Sequence, residues 1–206
     1  MVRLITRSSA SSVTAPIGAW LVRRGLTPDA VTLIGTFGAV TAALTLYTTG
    51  YLVVGTVLIG LFVLFDMLDG AMARAQGGGT RFGAVLDATC DRVADGAVFA
   101  ALTWWAFTLG DSLPLAAAAL LCLVTSQVTS YAKARAEASG FAAPRGLVER
   151  PSRLVIVLTG AGLTGLGVPW AIQVAMYVLA VGSIITVVQR VLAVRGAEGA
   201  RDRIES

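Results

Sequence analysis

The chain has no histidine and only two cysteines in 206 residues. Without imidazole there are no Ser-His triads, no histidine general base and none of the usual zinc ligands. Cys90 and Cys122 stand singly in apolar runs, without a C-x-x-C spacing, so both read as core packing rather than a disulfide or a metal site. Charge is scarce too: 14% of residues are Asp, Glu, Lys or Arg, against 56% hydrophobic, and Lys133 is the only lysine. Soluble domains carry about 25% charged residues. This chain is therefore expected to be an integral membrane protein.

The formal net charge of +4 raises the question of nucleic acid, but the distribution of basic residues excludes it. Lys and Arg fall in four clusters that leave residues 25–73, 93–132 and 154–189 without any. Each stretch is long enough for two spans of roughly 17–25 residues and a turn. Turns are expected near Thr48-Thr49-Gly50, Gly110-Asp111-Ser112 and Gly165-Leu166-Gly167. The reading is an all-α membrane domain of six transmembrane helices, at about 29–48, 52–75, 83–108, 114–137, 151–166 and 169–192. The positive-inside rule places both termini in the cytoplasm.

Val13, Ile17, Trp20 and Leu21 recur at helical spacing between basic residues, which predicts an amphipathic surface helix within residues 1–24. The six-helix bundle would then occupy residues 25–192 and a cytoplasmic tail residues 193–206, all as a single domain. Thr27 followed by Pro28 is a good start for the first span. Gly160-Ala161-Gly162-Leu163-Thr164-Gly165 matches G-x-G-x-x-G, but it lies in a membrane segment without the strand-turn-helix that a dinucleotide fold needs. Close helix packing is the better account.

Against this apolar background the acids stand out. Residues 66–91 read D-x-x-D-G-x-x-A-R, eight further residues, then G-x-x-x-D-x-x-x-D. A carboxylate at the centre of a membrane helix costs roughly 2.5–3.5 kcal/mol on insertion scales. Asp66 and Asp69 share one helix face and Asp87 and Asp91 another, and the turn at Gly77-Gly78-Gly79 makes the two helices antiparallel neighbours. Oxygen-only ligands select hard cations, so Mg2+ or Mn2+ is expected. Four carboxylates balance two divalent ions in formal charge, and one ion also fits the sequence. Gly70 and Gly83 leave room for a close approach, and Arg74 is placed to grip a diphosphate oxygen. A structural ion-pair network or an ion path is the competing account of such acids. Arg92 is available as a partner, and Asp95, outside the pattern, reads as structural.

The eight fixed positions (Asp66, Asp69, Gly70, Ala73, Arg74, Gly83, Asp87 and Asp91) resemble the signature of the CDP-alcohol phosphotransferases, membrane enzymes of phospholipid synthesis. The resemblance implies that Asp66, Asp69, Asp87 and Asp91 bind metal, with Asp91 also accepting the proton of the incoming hydroxyl. It implies that Asp29, Ala30, Val31, Thr32, Gly70, Arg74 and Thr80 bind CDP-diacylglycerol, and that the protein is a homodimer in a bacterial inner membrane.

Beyond the aspartates, Lys133, Arg135 and Arg153 form a basic group that would suit an acceptor carrying its own phosphate, although basic residues here also serve topology. The stretches Ser130–Glu137 and Glu149–Arg153 resemble the actinobacterial branch that joins CDP-diacylglycerol to inositol 1-phosphate and releases CMP. Glycerol 3-phosphate is the rival acceptor within the family. A cation- or proton-coupled transporter is the rival from another class.

Overall fold

The computed structural model describes residues 14–142 and 146–200. Residues 1–13, 143–145 and 201–206 lie outside it, and with them the first half of the expected surface helix, Arg145 and the end of the tail. Residues 14–23 are helical and form α1. There follow α2 (Pro28–Ala42), α3 (Leu52–Asp66), α4 (Leu68–Ala75), α5 (Arg81–Thr108), α6 (Leu113–Ala138), α7 (Arg150–Gly165) and α8 (Ala171–Arg195). Among the described residues there is no strand.

Local chemistry sets the helix ends. Thr27 caps α2 by accepting from the Ala30 N–H at 3.2 Å, and Pro28 opens the first turn. Thr80 caps α5 in the same way, accepting from the Gly83 N–H at 2.9 Å. Glu149 and Ser152 form a reciprocal capping box at the start of α7. The chain turns between α4 and α5 through Gly77 and Gly78, whose φ angles of +92° and +138° only glycine adopts readily.

Two irregularities depart from the six straight rods that the sequence predicts. The expected helix 52–75 is interrupted at Met67, so Asp66 closes α3 and Asp69 lies in the first turn of α4. The end of the expected helix 29–48 widens into a π-helical turn at Ala43–Tyr47. There the hydroxyls of Thr45, Thr48 and Thr49 donate back to the carbonyls of Thr41, Leu44 and Thr45 at 2.6–2.7 Å, so no hydroxyl faces the apolar surroundings unbonded.

Four segments are long and apolar enough to cross a membrane: Pro28–Tyr47, Leu52–Ala75, Leu113–Ala138 and Ala171–Arg195. By the same measure α5 fails because it carries Asp87, Asp91, Arg92 and Asp95, and α7 because it has only 16 residues. The outer surface is apolar: Phe37 is 74% exposed, Phe107 62%, Val155 65% and Val181 59%. Small side chains and charges lie inside instead. This distribution, with the four apolar segments, makes the protein membrane-embedded.

Packing of α5 on α6 and α2, of α6 on α8, and of α7 on α8 and α3 closes the bundle. Its core is rich in alanine, with Ala43, Ala101, Ala106, Ala119 and Ala161 almost wholly buried. Lipid is as apolar as leucine, so helix association relies on close contact that small residues permit. Gly160 shows this directly. A Cβ there would lie 2.6 Å from Ala175 Cβ and 3.2 Å from the Ala171 carbonyl oxygen. Gly160→Val is expected to destabilise the bundle by ~1–3 kcal/mol through overpacking. The thermal midpoint of the detergent-solubilised protein checks this, and an unchanged midpoint would contradict it.

Candidate functional site

The interruption at Met67 and the first turns of α5 bring Asp66, Asp69 and Asp87 together. One oxygen from each lies within 4.8 Å of the others. Among the described residues none of the three has an ion-pair partner. Asp66 Oδ1 is buried and has no hydrogen-bond partner at all. A buried, unbonded carboxylate oxygen costs about 1–3 kcal/mol or more unless something satisfies it. Converging hard oxygens, one of them orphaned, fit a divalent cation of the Mg2+ or Mn2+ class.

The neighbouring helix holds the ligands in place. Thr32 Oγ1 on α2 donates to Asp69 Oδ2 at 2.6 Å, while the Gly70 N–H donates to Asp69 Oδ1. With both oxygens of Asp69 oriented, its carboxylate is fixed before any ion arrives. Gly35 on α2 serves Asp66 differently: a Cβ there would sit 3.1 Å from Asp66 Cβ and push it aside, so the glycine favours this close approach of the helices.

Beside the triad lies a cavity of about 370 Å³, bordered by Asp29, Thr32, Asp69, Gly70, Thr80, Gly83 and Asp87. A Cβ on Gly83 would come 3.1 Å from Thr80 Oγ1 and 3.2 Å from Asp29 Oδ1, so this glycine keeps both side chains at the rim. Arg74 is exposed and reaches back over Gly70, its Nη1 3.4 Å from where a Gly70 Cβ would stand. Three expected members, Ala30, Val31 and this exposed Arg74, do not line the cavity. Val31 is fully buried against Leu21 and Met72, and the Ala30 N–H is taken by the cap at Thr27.

Further along the same face of α5 is a second cavity, of about 730 Å³, to which this helix contributes Ala88, Asp91 and Arg92. Five cations line it: Arg92, Lys133, Arg150, Arg153 and Arg190. Asp91 opens onto it and pairs with Arg150, Nη2 to Oδ1 at 2.8 Å. Thus the structure gathers three of the four signature aspartates and draws the fourth toward an arginine. Arg190 Nη2 pairs with Glu149 Oε1 at 2.7 Å, and its Nη1 donates to the Thr129 carbonyl at 2.5 Å. Although burial pushes the Glu149 carboxyl up, hydrogen bonds from the Gly146 N–H and Arg190 hold it below its ordinary value.

Of the expected basic group, Lys133 and Arg153 line this second cavity, whereas Arg135 is exposed and lines neither. Residues two apart do not share a helix face, so Lys133 and Arg135 diverge. The sequence reading passed over Arg150 and Arg190. Arg190 counted there as a flanking charge, yet it lies inside an apolar helix, where an arginine marks a site by default.

Known proteins with this chain's pattern are close. The family described as CDP-alcohol phosphatidyltransferase matches residues 25–196. The phosphatidylinositol phosphate synthase of Mycolicibacterium smegmatis is 60% identical over 204 residues, covering 98% of this chain and 92% of that one. The synthase of the same description from Mycobacteroides abscessus is 59% identical over 200 residues, covering 97% and 91%. A crystal structure of the Mycobacterium tuberculosis phosphatidylinositol phosphate synthase with CDP-DAG bound superposes with a TM-score of 0.90 at 57% identity, covering 95% of this chain and 100% of that one. Another, in complex with manganese and citrate, gives a TM-score of 0.88 at 56% identity, covering 93% of each.

Because Thr32 orients Asp69, Thr32→Val is expected to weaken divalent-ion binding by about 10–100-fold, the range for lost outer-shell hydrogen bonds. Titration of the purified protein with Mn2+, read by electron paramagnetic resonance without lipid, measures this. An unchanged affinity would show that the hydroxyl does nothing for the site.

Proposed function

The chain belongs to the CDP-alcohol phosphatidyltransferase family, and we propose that it transfers the phosphatidyl group of CDP-diacylglycerol to inositol 1-phosphate, releasing CMP. One observation carries this reading. Two carboxylates of the triad, Asp69 and Asp87, line one cavity, and a cavity lined by five cations opens further along the same helix at Asp91. A nucleotide-lipid donor and a phosphorylated acceptor would then meet at α5.

The donor would occupy the smaller cavity, held by Asp29, Thr32, Gly70, Arg74 and Thr80. Asp66, Asp69 and Asp87 would hold Mg2+ or Mn2+, and two ions would balance the four signature carboxylates. Bound there, the cation supplies positive charge to the diphosphate and the departing CMP. In the larger cavity Lys133, Arg153, Arg150 and Arg190 would grip the acceptor's phosphate, with Arg suited to forked contacts and Lys to a point charge. The acceptor hydroxyl then attacks the lipid-side phosphorus. A new P–O bond forms, the bond to CMP breaks, and Asp91 takes the hydroxyl proton. Asp91 lines the acceptor cavity one helical turn from Asp87, where a base for that hydroxyl is needed.

All six long helices would span the bilayer as a single domain, α5 carrying its charges inward and α7 shortened at the cytoplasmic side. The outward Trp104 and Phe107 of α5 and Val155 of α7 support this. Both termini would lie in the cytoplasm of a bacterial cell, with α1 on the inner membrane surface, where Trp20 is 48% exposed and stacks with Arg24. The functional unit would be a homodimer.

Purified protein given CDP-diacylglycerol, Mg2+ and one acceptor at a time tests the assignment by CMP release and mass of the lipid product. Turnover is expected with inositol 1-phosphate, falling by about 100-fold or more in Asp91→Asn. Turnover with glycerol 3-phosphate alone would overturn the acceptor. Ion flux in liposomes without CDP-lipid, and no CMP release, would overturn the enzyme.

A further inference from the structure

On α5, Asp87, Asp91 and Asp95 follow one another at four-residue intervals on one face. The first belongs to the triad and the second opens onto the cationic cavity. Asp95 lines neither cavity, and its side chain has no exposed surface. Three guanidinium groups converge on it. Arg92, from the same helix, lies 3.7 Å away, Arg150 Nε donates at 3.3 Å, and Arg153 Nη2 donates to the other carboxylate oxygen. All three arginines line the cavity from which Asp95 itself is hidden.

The arrangement is a bracket. Arg153 is 2% exposed, and among the described residues Asp95 is its only acidic partner. Arginine keeps its charge even when buried, so a guanidinium this deep depends on its counter-ion to stay in place. Arg150 is shared, with Nε on Asp95 and Nη2 on Asp91. Arg92 is likewise shared, 3.9 Å from Asp91, so three arginines against two carboxylates still leave an excess of positive charge, and the wall where they are fixed faces the cavity. Fixed donors lose less freedom when they bind an anion than mobile ones do.

We propose that Asp95 is the positioning residue of the acceptor cavity: it touches no substrate but holds Arg150 and Arg153 in the wall as preset donors for the acceptor's phosphate. The inference rests on the proposed two-substrate reaction and adds to it a residue outside the family signature.

The experiment varies inositol 1-phosphate and CDP-diacylglycerol separately in wild-type protein, Asp95→Asn and Asp95→Glu. In Asp95→Asn the acceptor KM is expected to rise about tenfold or more, while the CDP-diacylglycerol KM and the Mn2+ affinity stay within about twofold. Asp95→Glu keeps the charge on an arm one methylene longer and should fall between Asn and wild type. If Asp95→Asn does not fold, a raised acceptor KM in Asp95→Glu alone carries the result. An unchanged acceptor KM, or equal losses for both substrates in step with lost folded protein, overturns the inference. Absence of transfer by wild-type protein to any phosphorylated alcohol removes the proposed reaction, and this inference falls with it. Normal wild-type turnover with no acceptor effect removes Asp95 alone.

Discussion

Carboxylates held together in an apolar setting repel one another, and this bundle brings an oxygen from each of three within 4.8 Å, with no cation paired to them among the described residues. At that separation the repulsion is on the order of 3 kcal/mol per pair for an effective dielectric of about 20. The backbone is shaped to impose this proximity. The interruption at Met67 puts Asp66 and Asp69 on either side of a break, Gly35 lets α2 approach Asp66, and Thr32 orients Asp69. An arrangement so unfavourable for the empty protein makes sense as a receptacle for a divalent cation, and its cost is carried by the packing of α2, α3 and α5.

Along α5 the source of counter-charge changes with depth. Asp87 belongs to the triad, Asp91 is met by Arg150, and Asp95 by Arg92, Arg150 and Arg153. One helix face thus passes from an acidic site toward a basic one within two turns, and the two cavities along it take opposite characters. A diphosphate lipid requires cations where the protein supplies carboxylates, while a phosphorylated alcohol is served by arginines directly. In the proposed reaction the two substrates would be kept apart by chemistry and would meet at Asp91.

Much of this was legible in the sequence because membrane helices are written in long apolar stretches bounded by charge. The expected helices 83–108 and 114–137 are observed as Arg81–Thr108 and Leu113–Ala138. The aspartate signature identified the family and three carboxylates that do converge. The break at Met67 and the π turn at Ala43–Tyr47 left no Pro or Gly at those positions to announce them. Arg150 and Arg153 reach Asp95 from more than fifty residues away in the chain, so i+4 spacing on α5 could not reveal the partners. Two details were readable and missed: the divergence of Lys133 from Arg135, and the exceptional position of Arg190 within an apolar helix.

The central claim is that cation occupancy of the Asp66–Asp69–Asp87 cluster resolves the repulsion around which the bundle is built. Anomalous diffraction from crystals of this protein grown with Mn2+ tests that claim most directly. The account predicts a peak between the three carboxylates that disappears in Asp69→Asn crystals. A cluster without anomalous signal at saturating Mn2+, with its carboxylates still converged, would contradict it.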